Sequence, residues 1–451
     1  MMKKPAAHKP SSGLLPLVFQ AIIFFVAVSI LASGRDLTQL YVQLESVAEP
    51  TRPTVIAWVQ RGISLLLLLA SAEQIANHFS LGRRTPSVIL LLSFLLYWLG
   101  TVGIPAVFGT HPAISHDLIY SLAIGTAACL VGIQERDRIL DGARNALFVL
   151  MLAGVLFIPI NIRLVLDVGY SQGLIPGLPR FGGLTPHPVT QGMLAQIALL
   201  LLWCRPFQRR WLNRCAWALG LGVLFLAQSK TAWLAFLVCA SCMLAVRQGG
   251  GFWQRMSDPR RGGGLGVLVC LGVIAVVLAA GTWILVGNAS GQLDDFLGSR
   301  EGAELMSMTG RDRIWEAALE EWRNNPMFGY GLTIWDNVYR ASIGMPQATH
   351  AHNQFMDDLA RSGSVGAGAL VIYASVLLVL SLRYARATGG LSLVLWVAIA
   401  LQSIAEVPLR LIGYGTELFN HLLLLVTLAS AASAERRAAP AGRTMRYGVA
   451  S

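Results

Sequence analysis

Residues 14–33 read LLPLVFQAIIFFVAVSILAS, a run without a single charge. At 1.5 Å per residue such a run spans about 30 Å as a helix, the thickness of a bilayer's hydrocarbon core. It follows Lys3 and Lys4 and ends in small residues, so taken alone it resembles a signal peptide. Eleven further apolar segments make an uncleaved first helix the better reading. They lie at about 54–72, 87–107, 117–133, 145–166, 189–204, 215–228, 231–247, 265–286, 364–382, 391–407 and 417–434. The seventh and eighth are separated only by Ser229-Lys230-Thr231 and are together too long for one crossing, which predicts a tight hairpin there.

Composition agrees. Of 451 residues, 55% are hydrophobic and only 13% charged, about half the charge of an average soluble domain. This excludes a disordered chain, a disulfide-rich secreted module and an ordinary cytosolic enzyme. The net charge of +11 carries no basic-aromatic stripe or nucleic-acid-binding motif, so nucleic acid is not an expected partner. It follows instead from Lys and Arg gathering in alternate loops: Lys3 and Lys4, Arg83 and Arg84, Arg136 to Arg144, Arg205 to Arg214, Arg247 to Arg261, Arg383 and Arg386, and Arg436 onward. By the positive-inside rule these loops and both termini are cytoplasmic. The six cysteines lie in or beside apolar runs, and the Cys239/Cys242 pair is read as packing, not as a metal or redox motif.

The expected fold class is an all-α integral membrane protein of about 12 transmembrane helices. Residues 1–286 form the membrane domain with helices 1–9, 287–363 a large outer loop folded as a cap, 364–434 helices 10–12, and 435–451 a cytoplasmic tail. Within the cap, Thr309 and Asp312 suit a capping box, and Trp315, Ala318, Leu319 and Trp322 share one helical face. Asn324-Asn325-Pro326 ends that helix. Gly329 and Gly331 bracket a turn. A second helix is expected to start near Thr349 and to stop at Gly363.

Chemistry can sit at three places on the outer side. His350 and His352 stand at a predicted helix start. Two residues apart, they would point different ways on a helix and make a poor shared metal site. His352 falls on the face of Phe355, Met356 and Leu359, so it is expected to point toward the membrane domain, where histidine suits a general base. A capping or packed histidine is the plainer alternative. Second, Arg180, Lys230 and Arg410 fall in outer loops, and Arg61 and Arg163 in the outer half of apolar segments. Cations are costly in hydrocarbon and bind phosphate well, so together they suit a lipid diphosphate, with snorkelling as the alternative. Third, the adjacent pairs Asp294-Asp295 and Asp357-Asp358 lack metal-site spacing and are read as solvated surface. No P-loop, dinucleotide fingerprint, HExxH or nucleophile elbow occurs.

Four separated stretches, in order, resemble one family: Arg180-Phe181-Gly182-Gly183 with His187-Pro188; Ser229-Lys230-Thr231-Ala232; Thr309-Gly310-Arg311-Asp312-Arg313-Ile314-Trp315 with Asn325-Pro326-Met327-Phe328-Gly329-Tyr330-Gly331; and His350-Ala351-His352-Asn353-Gln354-Phe355 with Gly363 and Gly366. They look like the bacterial O-antigen ligase/polymerase family, which includes O-antigen ligases and the Wzy-type and ExoQ-type polysaccharide polymerases. The resemblance implies a periplasmic-face glycosyltransferase of the bacterial inner membrane. Its donor is an undecaprenyl-diphosphate-linked oligosaccharide, and its acceptor a second glycan chain or lipid A-core. The chemistry is inverting and needs no metal or other cofactor. A flippase and a chain-length regulator are implied partners. By position His352, or else His350, is the base; Arg180 and Lys230 face the leaving diphosphate; Arg311 and Asn353 belong to the cap. Ligases carry arginine where Lys230 stands, which favours a polymerase for exopolysaccharide or O-antigen, with an O-antigen ligase as the alternative. A secondary transporter is a more distant alternative, since internal repeats and midplane carboxylates other than Glu406 are lacking.

Overall fold

The computed structural model describes residues 13–39, 54–170, 177–257, 311–346 and 348–438. The ninth apolar segment, the pair Asp294-Asp295, Thr309 and the tail beyond 438 lie outside them. The described residues are mostly helical (72%). Among the described residues six helices are long and apolar enough to cross a membrane: Thr54–Ser80, Val88–Phe108, Ile133–Leu156, Lys230–Gln248, Gln354–Tyr384 and Thr416–Ala438. Shorter apolar helices cover Leu17–Ser33, Asp117–Cys129, Pro188–Cys204 and Leu391–Gln402. These lengths and compositions fit a multi-pass membrane protein.

We label the helices that position the site: α1 (Leu17–Ser33), α2 (Thr54–Ser80), α3 (Val88–Phe108), α4 (Pro188–Cys204), α5 (Arg210–Leu226), α6 (Lys230–Ser257), α7 (Arg311–Asn324), α8 (Gln354–Tyr384), α9 (Leu391–Gln402) and α10 (Thr416–Ala438). α10 is buried nearly all round, with Leu422 to Leu425 at most 1% exposed, so it forms the axis of the bundle. α2 is largely uncovered and shows Trp58, Leu65 and Leu69 on its outside. Small residues let the other helices close in: a Cβ on Gly125 would fall inside the Phe94 ring, and one on Gly220 against Leu199.

Several expected boundaries move. The segment read as 145–166 is a helix over Ile133–Leu156, which starts within polar sequence. Those early charges are paired: Arg205 bridges Asp141 at 2.8 Å and Asp137 at 2.7 Å. The break at 227–230 is real, with Gln228 at φ 46° and the Ser229 hydroxyl accepting the Ala232 N–H. Its two helices splay, however, since α5 packs mainly on α4 and α6 on α9.

The cap helix α7 stops at Asn324, as Asn325-Pro326 predicts. A short helix, Asn337–Ser342, follows, and the helix expected to start near Thr349 starts at Gln354, because Asn353 is its N-cap and accepts the Met356 N–H at 3.1 Å. Gly363 breaks this helix without ending it: at φ 62°, ψ −161° the axis kinks and the helix resumes to Tyr384. The break frees the Ala360 and Arg361 carbonyls, which accept the N–H groups of Tyr330 and Gly331, each at 2.9 Å. The Ser364 N–H in turn donates to the Pro326 carbonyl at 2.8 Å. A Cβ on Gly363 would lie 2.4 Å from the Met327 carbonyl carbon, and one on Gly329 2.6 Å from the Ala360 oxygen. The cap segment thus threads through the kink of a membrane-length helix, and the motif glycines exist because two backbones meet there.

Candidate functional site

Three polar groups converge just ahead of α8. His350 and His352 do not sit on a helix, as expected; they precede it, with His352 in the left-handed region at φ 49°. This turn sends both rings the same way, with centroids 4.1 Å apart. Phe355, expected to share an inward face with His352, is 47% exposed. Glu406, in the loop after α9, completes the group. Its Oε2 lies 3.3 Å from His350 Nε2 and 3.9 Å from His352 Nδ1.

The three donor atoms fall within 4.8 Å of one another, a set that could hold a metal ion. The hydrogen bonding argues for a different use. His350 Nδ1 accepts the His352 backbone N–H at 3.0 Å, so the ring proton belongs on Nε2, the atom that faces Glu406. A metal-bound imidazole needs the reverse: Nε2 bare and a proton on Nδ1 aimed at an acceptor. His350 Nε2, with its proton, therefore faces the Glu406 carboxyl at 3.3 Å. His352 Nδ1 is buried and has no hydrogen-bond partner, which leaves it as the free basic nitrogen.

Electrostatics follows from burial. Burial first, then the neighbouring His352, pushes His350 down to about 3. Burial and then the Arg311 guanidinium push His352 down to about 4. Burial lifts Glu406 up to about 7 against the pull of Arg311. Both histidines are thus neutral at physiological pH, as a proton acceptor requires.

The loop carrying the histidines is fixed from below. Asp357 Oδ1 accepts the Ala351 N–H at 3.0 Å, and Asp357 Oδ2 holds Arg361 at 2.7 Å. Asp358 binds Gln354 at 3.0 Å and Tyr97 at 3.2 Å. The expectation that this acidic pair is solvated surface is wrong: the two are 0% and 3% exposed. Each has a buried donor waiting for it, which the spacing of two adjacent acids does not reveal.

Beside the histidines opens a cavity of about 150 Å³, between α4, the loop after α9 and the start of α10. His350, Glu406, Arg410, Gln402 and Asn420 line its polar end. The Nε of Arg410, the Nε2 of Gln402 and both side-chain polar atoms of Asn420 are buried without partners. Burial, and after it the nearby Arg361, pushes Arg410 down to about 10, still charged at neutral pH. Arg361 is matched by Asp357, so Arg410 is the cation left to face the cavity.

The other expected cations divide. Arg180 is buried in a two-residue strand, paired with Asp167 across an antiparallel ladder. Its Nε donates to the Ala227 carbonyl at 2.9 Å, and its guanidinium lies 4.7 Å over the Tyr170 ring. It therefore props the loop before α4 against the 227–230 turn. Lys230 is exposed at the first residue of α6, on that same turn. Arg311 acts on both His352 and Glu406, and its Nη1 is buried without a partner. Asn353 caps α8. Arg163 pairs with Asp36 at 3.7 Å in an exposed position, and Arg61 lies over the Trp58 ring in a separate groove with His116 and Tyr120. Neither lines the cavity.

Three participants are not assigned to the site by the sequence. Glu406 reads there as the end of an apolar segment, and only the fold carries it to the histidines. Arg35 donates to the carbonyls of Leu164, Gly183, Thr185 and Pro186 and so shapes the loop before α4. His187 caps α4 through Nδ1 and senses both Arg180 and His352.

A membrane-fitting helical bundle thus carries a neutral histidine pair and a carboxyl at a cavity that Arg410 also lines. The family model described as O-antigen ligase matches residues 215–371, which supports membership of the O-antigen ligase/polymerase family, whose members are glycosyltransferase-like ligases and polymerases. No curated protein matches the chain in sequence. The matched stretch runs from within α5 to the first half of α8. It includes the histidine loop and the kink, but not Arg35, Arg180, Glu406 or Arg410.

Proposed function

We propose that the protein is a periplasmic-face polysaccharide polymerase of the bacterial inner membrane, with about 12 spans and both termini cytoplasmic. The observation that carries this is the free, buried Nδ1 of His352, 3.9 Å from the carboxyl of Glu406, which lines one cavity together with His350 and Arg410. A base and a buried cation are the two things a glycosyl transfer from a lipid diphosphate needs. His352 Nδ1 takes the proton of the acceptor hydroxyl as its oxygen attacks the anomeric carbon. The bond from that carbon to the diphosphate breaks on the opposite side, with inversion, and the electron pair leaves on the diphosphate oxygen. Arg410 and the Lys230 turn, propped by Arg180, stabilise that departing charge. His350 is a positioning residue, since its own Nδ1 is occupied. The hydrogen bond from the His352 N–H to His350 Nδ1, which puts the His350 ring proton on Nε2, supports a mechanism that needs no metal. Arg61 and Arg163 are left out of the diphosphate site.

The donor is an undecaprenyl-diphosphate-linked repeat unit, and the acceptor a second such chain, in a system with a flippase and a chain-length regulator. Lysine at 230 favours this polymerase reading. The description of the matched family, O-antigen ligase, favours the second reading, transfer to lipid A-core. The test is protein reconstituted in liposomes with the lipid-linked repeat unit, wild type beside His352→Ala, with and without lipid A-core and with and without chelator. A size ladder formed without lipid A-core, lost in the variant and indifferent to chelator, is the expected result. Transfer only to lipid A-core would establish a ligase. An active His352→Ala protein would remove the base assignment.

A further inference from the structure

We propose that Glu406 is the second proton acceptor of this site, taking from His352 the proton that leaves the attacking hydroxyl. The proposal rests on the glycosyl-transfer reading above. Its ground is geometric. A single oxygen, Oε2, faces both histidines, at 3.3 Å from His350 Nε2 and 3.9 Å from His352 Nδ1. The His350 proton sits on Nε2 because the His352 backbone N–H occupies Nδ1, so His350 turns a proton, not a lone pair, toward Oε2. His352 Nδ1 has no other partner. Catalytic hydrogen bonds in free enzymes are often long and tighten when substrate binds, and closing 3.9 Å to hydrogen-bonding distance needs a shift of about 1 Å.

The charges around Glu406 suit the role. His350 and His352 face it from the loop ahead of α8, Arg311 from α7 and Glu417 from α10, while Arg410 in its own loop faces the cavity. Arg311 favours the ionised carboxyl; burial and then Glu417 oppose it and hold the group up at about 7. His352, held down at about 4, keeps a proton poorly at neutral pH. Passage to Glu406 is therefore downhill, and at about 7 the carboxyl can also release the proton to water. The step balances: the hydroxyl O–H bond breaks, the oxygen bonds the anomeric carbon, the diphosphate leaves with the electron pair of the broken bond, and the proton moves to Nδ1, then Oε2, then solvent. Glu406 lies outside the matched family stretch, so the match does not assign it.

The test compares wild type, Glu406→Gln, Glu406→Asp and Glu406→Ala in the liposome assay across pH. Gln keeps an oxygen facing His350 but cannot take a proton. Its turnover should fall about 100-fold with KM within about twofold. The acid limb of the wild-type profile, expected near 7, should move down by about two units or more in the Gln variant. Asp should retain part of the activity, and added formate should restore turnover to the Ala variant. Wild-type turnover and pH profile in Glu406→Gln would overturn the proposal. A second readout does not depend on transfer: the infrared carbonyl band of a protonated carboxyl, present in wild type and missing from Glu406→Gln, should titrate near 7. If that band is absent at pH 5, the assignment is wrong whatever the activity. If the band titrates as expected but wild type transfers no glycan, Glu406 is a proton-holding group and the glycosyl-transfer reading is the part that fails.

Discussion

Asp357→Asn tests how the histidine loop is held. The substitution keeps the shape of the side chain and an oxygen for the Ala351 N–H, and removes only the charge. Its effect falls mainly on Arg361, which is 2% exposed and bound to Asp357 at 2.7 Å. Arg361 Nε and Nη1 already lack partners, so nothing else among the described residues takes over. Removing one member of a buried ion pair costs about 3–5 kcal/mol, because the other charge is stranded. Weakening the Ala351 hydrogen bond from charge-assisted to neutral adds about 1 kcal/mol. The expected loss is therefore about 4–6 kcal/mol, the sum of these two terms. The assay is reversible unfolding in mixed micelles, followed by tryptophan fluorescence, with Asp357→Asn, Arg361→Met and the double variant in one cycle. Arg361→Met in the Asn background removes the stranded charge and should recover more than half of the loss. A single variant within about 1 kcal/mol of wild type would refute this account of the loop, as would a double variant less stable than either single one.

Further expectations concern the kink, the turn and the titration of the loop. Gly363→Ala should cost more than about 3 kcal/mol, since it adds a clash with the Met327 carbonyl to the strain of a positive φ; unchanged stability in the same unfolding assay would mean the threading is not fixed. Lys230→Arg should keep liposome activity and Lys230→Ala should lose most of it; equal activity of the two would show that charge at the turn is not needed. The two loop histidines titrate far below their unfolded value of 6.5, so the unfolded chain binds protons first as the pH falls. Between about 6.5 and 4 each histidine should therefore remove up to about 1.4 kcal/mol of stability per unit as the pH falls, Glu406, held up at about 7, should oppose one of them, and His350→Gln should flatten the slope. A steeper slope in that variant would contradict the burial of His350.

The helices were legible because an uncharged apolar run of bilayer length would be hard to bury in a water-soluble fold. Their ends were less so: the helix at Ile133–Leu156 starts among charges, and those charges pair with partners such as Arg205 that are distant in sequence. The motif glycines were recognisable, but their reason was not, since Gly329 and Gly363 are read as a turn and a stop when each is half of one backbone crossing. For the site, the histidines and Arg410 could be picked out by type and loop position. Their mutual arrangement could not, because it depends on one left-handed residue, His352, in a conformation that only a small share of non-glycine residues adopts. Asp357 was misjudged for a related reason: only the fold supplies Arg361 and the Ala351 N–H in the same buried place.

Arg35 grips the carbonyls of Thr185 and Pro186, which follow it by 150 and 151 residues in the chain. During synthesis the guanidinium therefore emerges long before the groups it will bind. The loop ahead of α4, with His187 and Arg180 in it, takes its final form only after α1 is in place and the later segments have returned to it. The order of assembly thus ties a residue just beyond the first described helix to the shape of a loop that the chain completes much later.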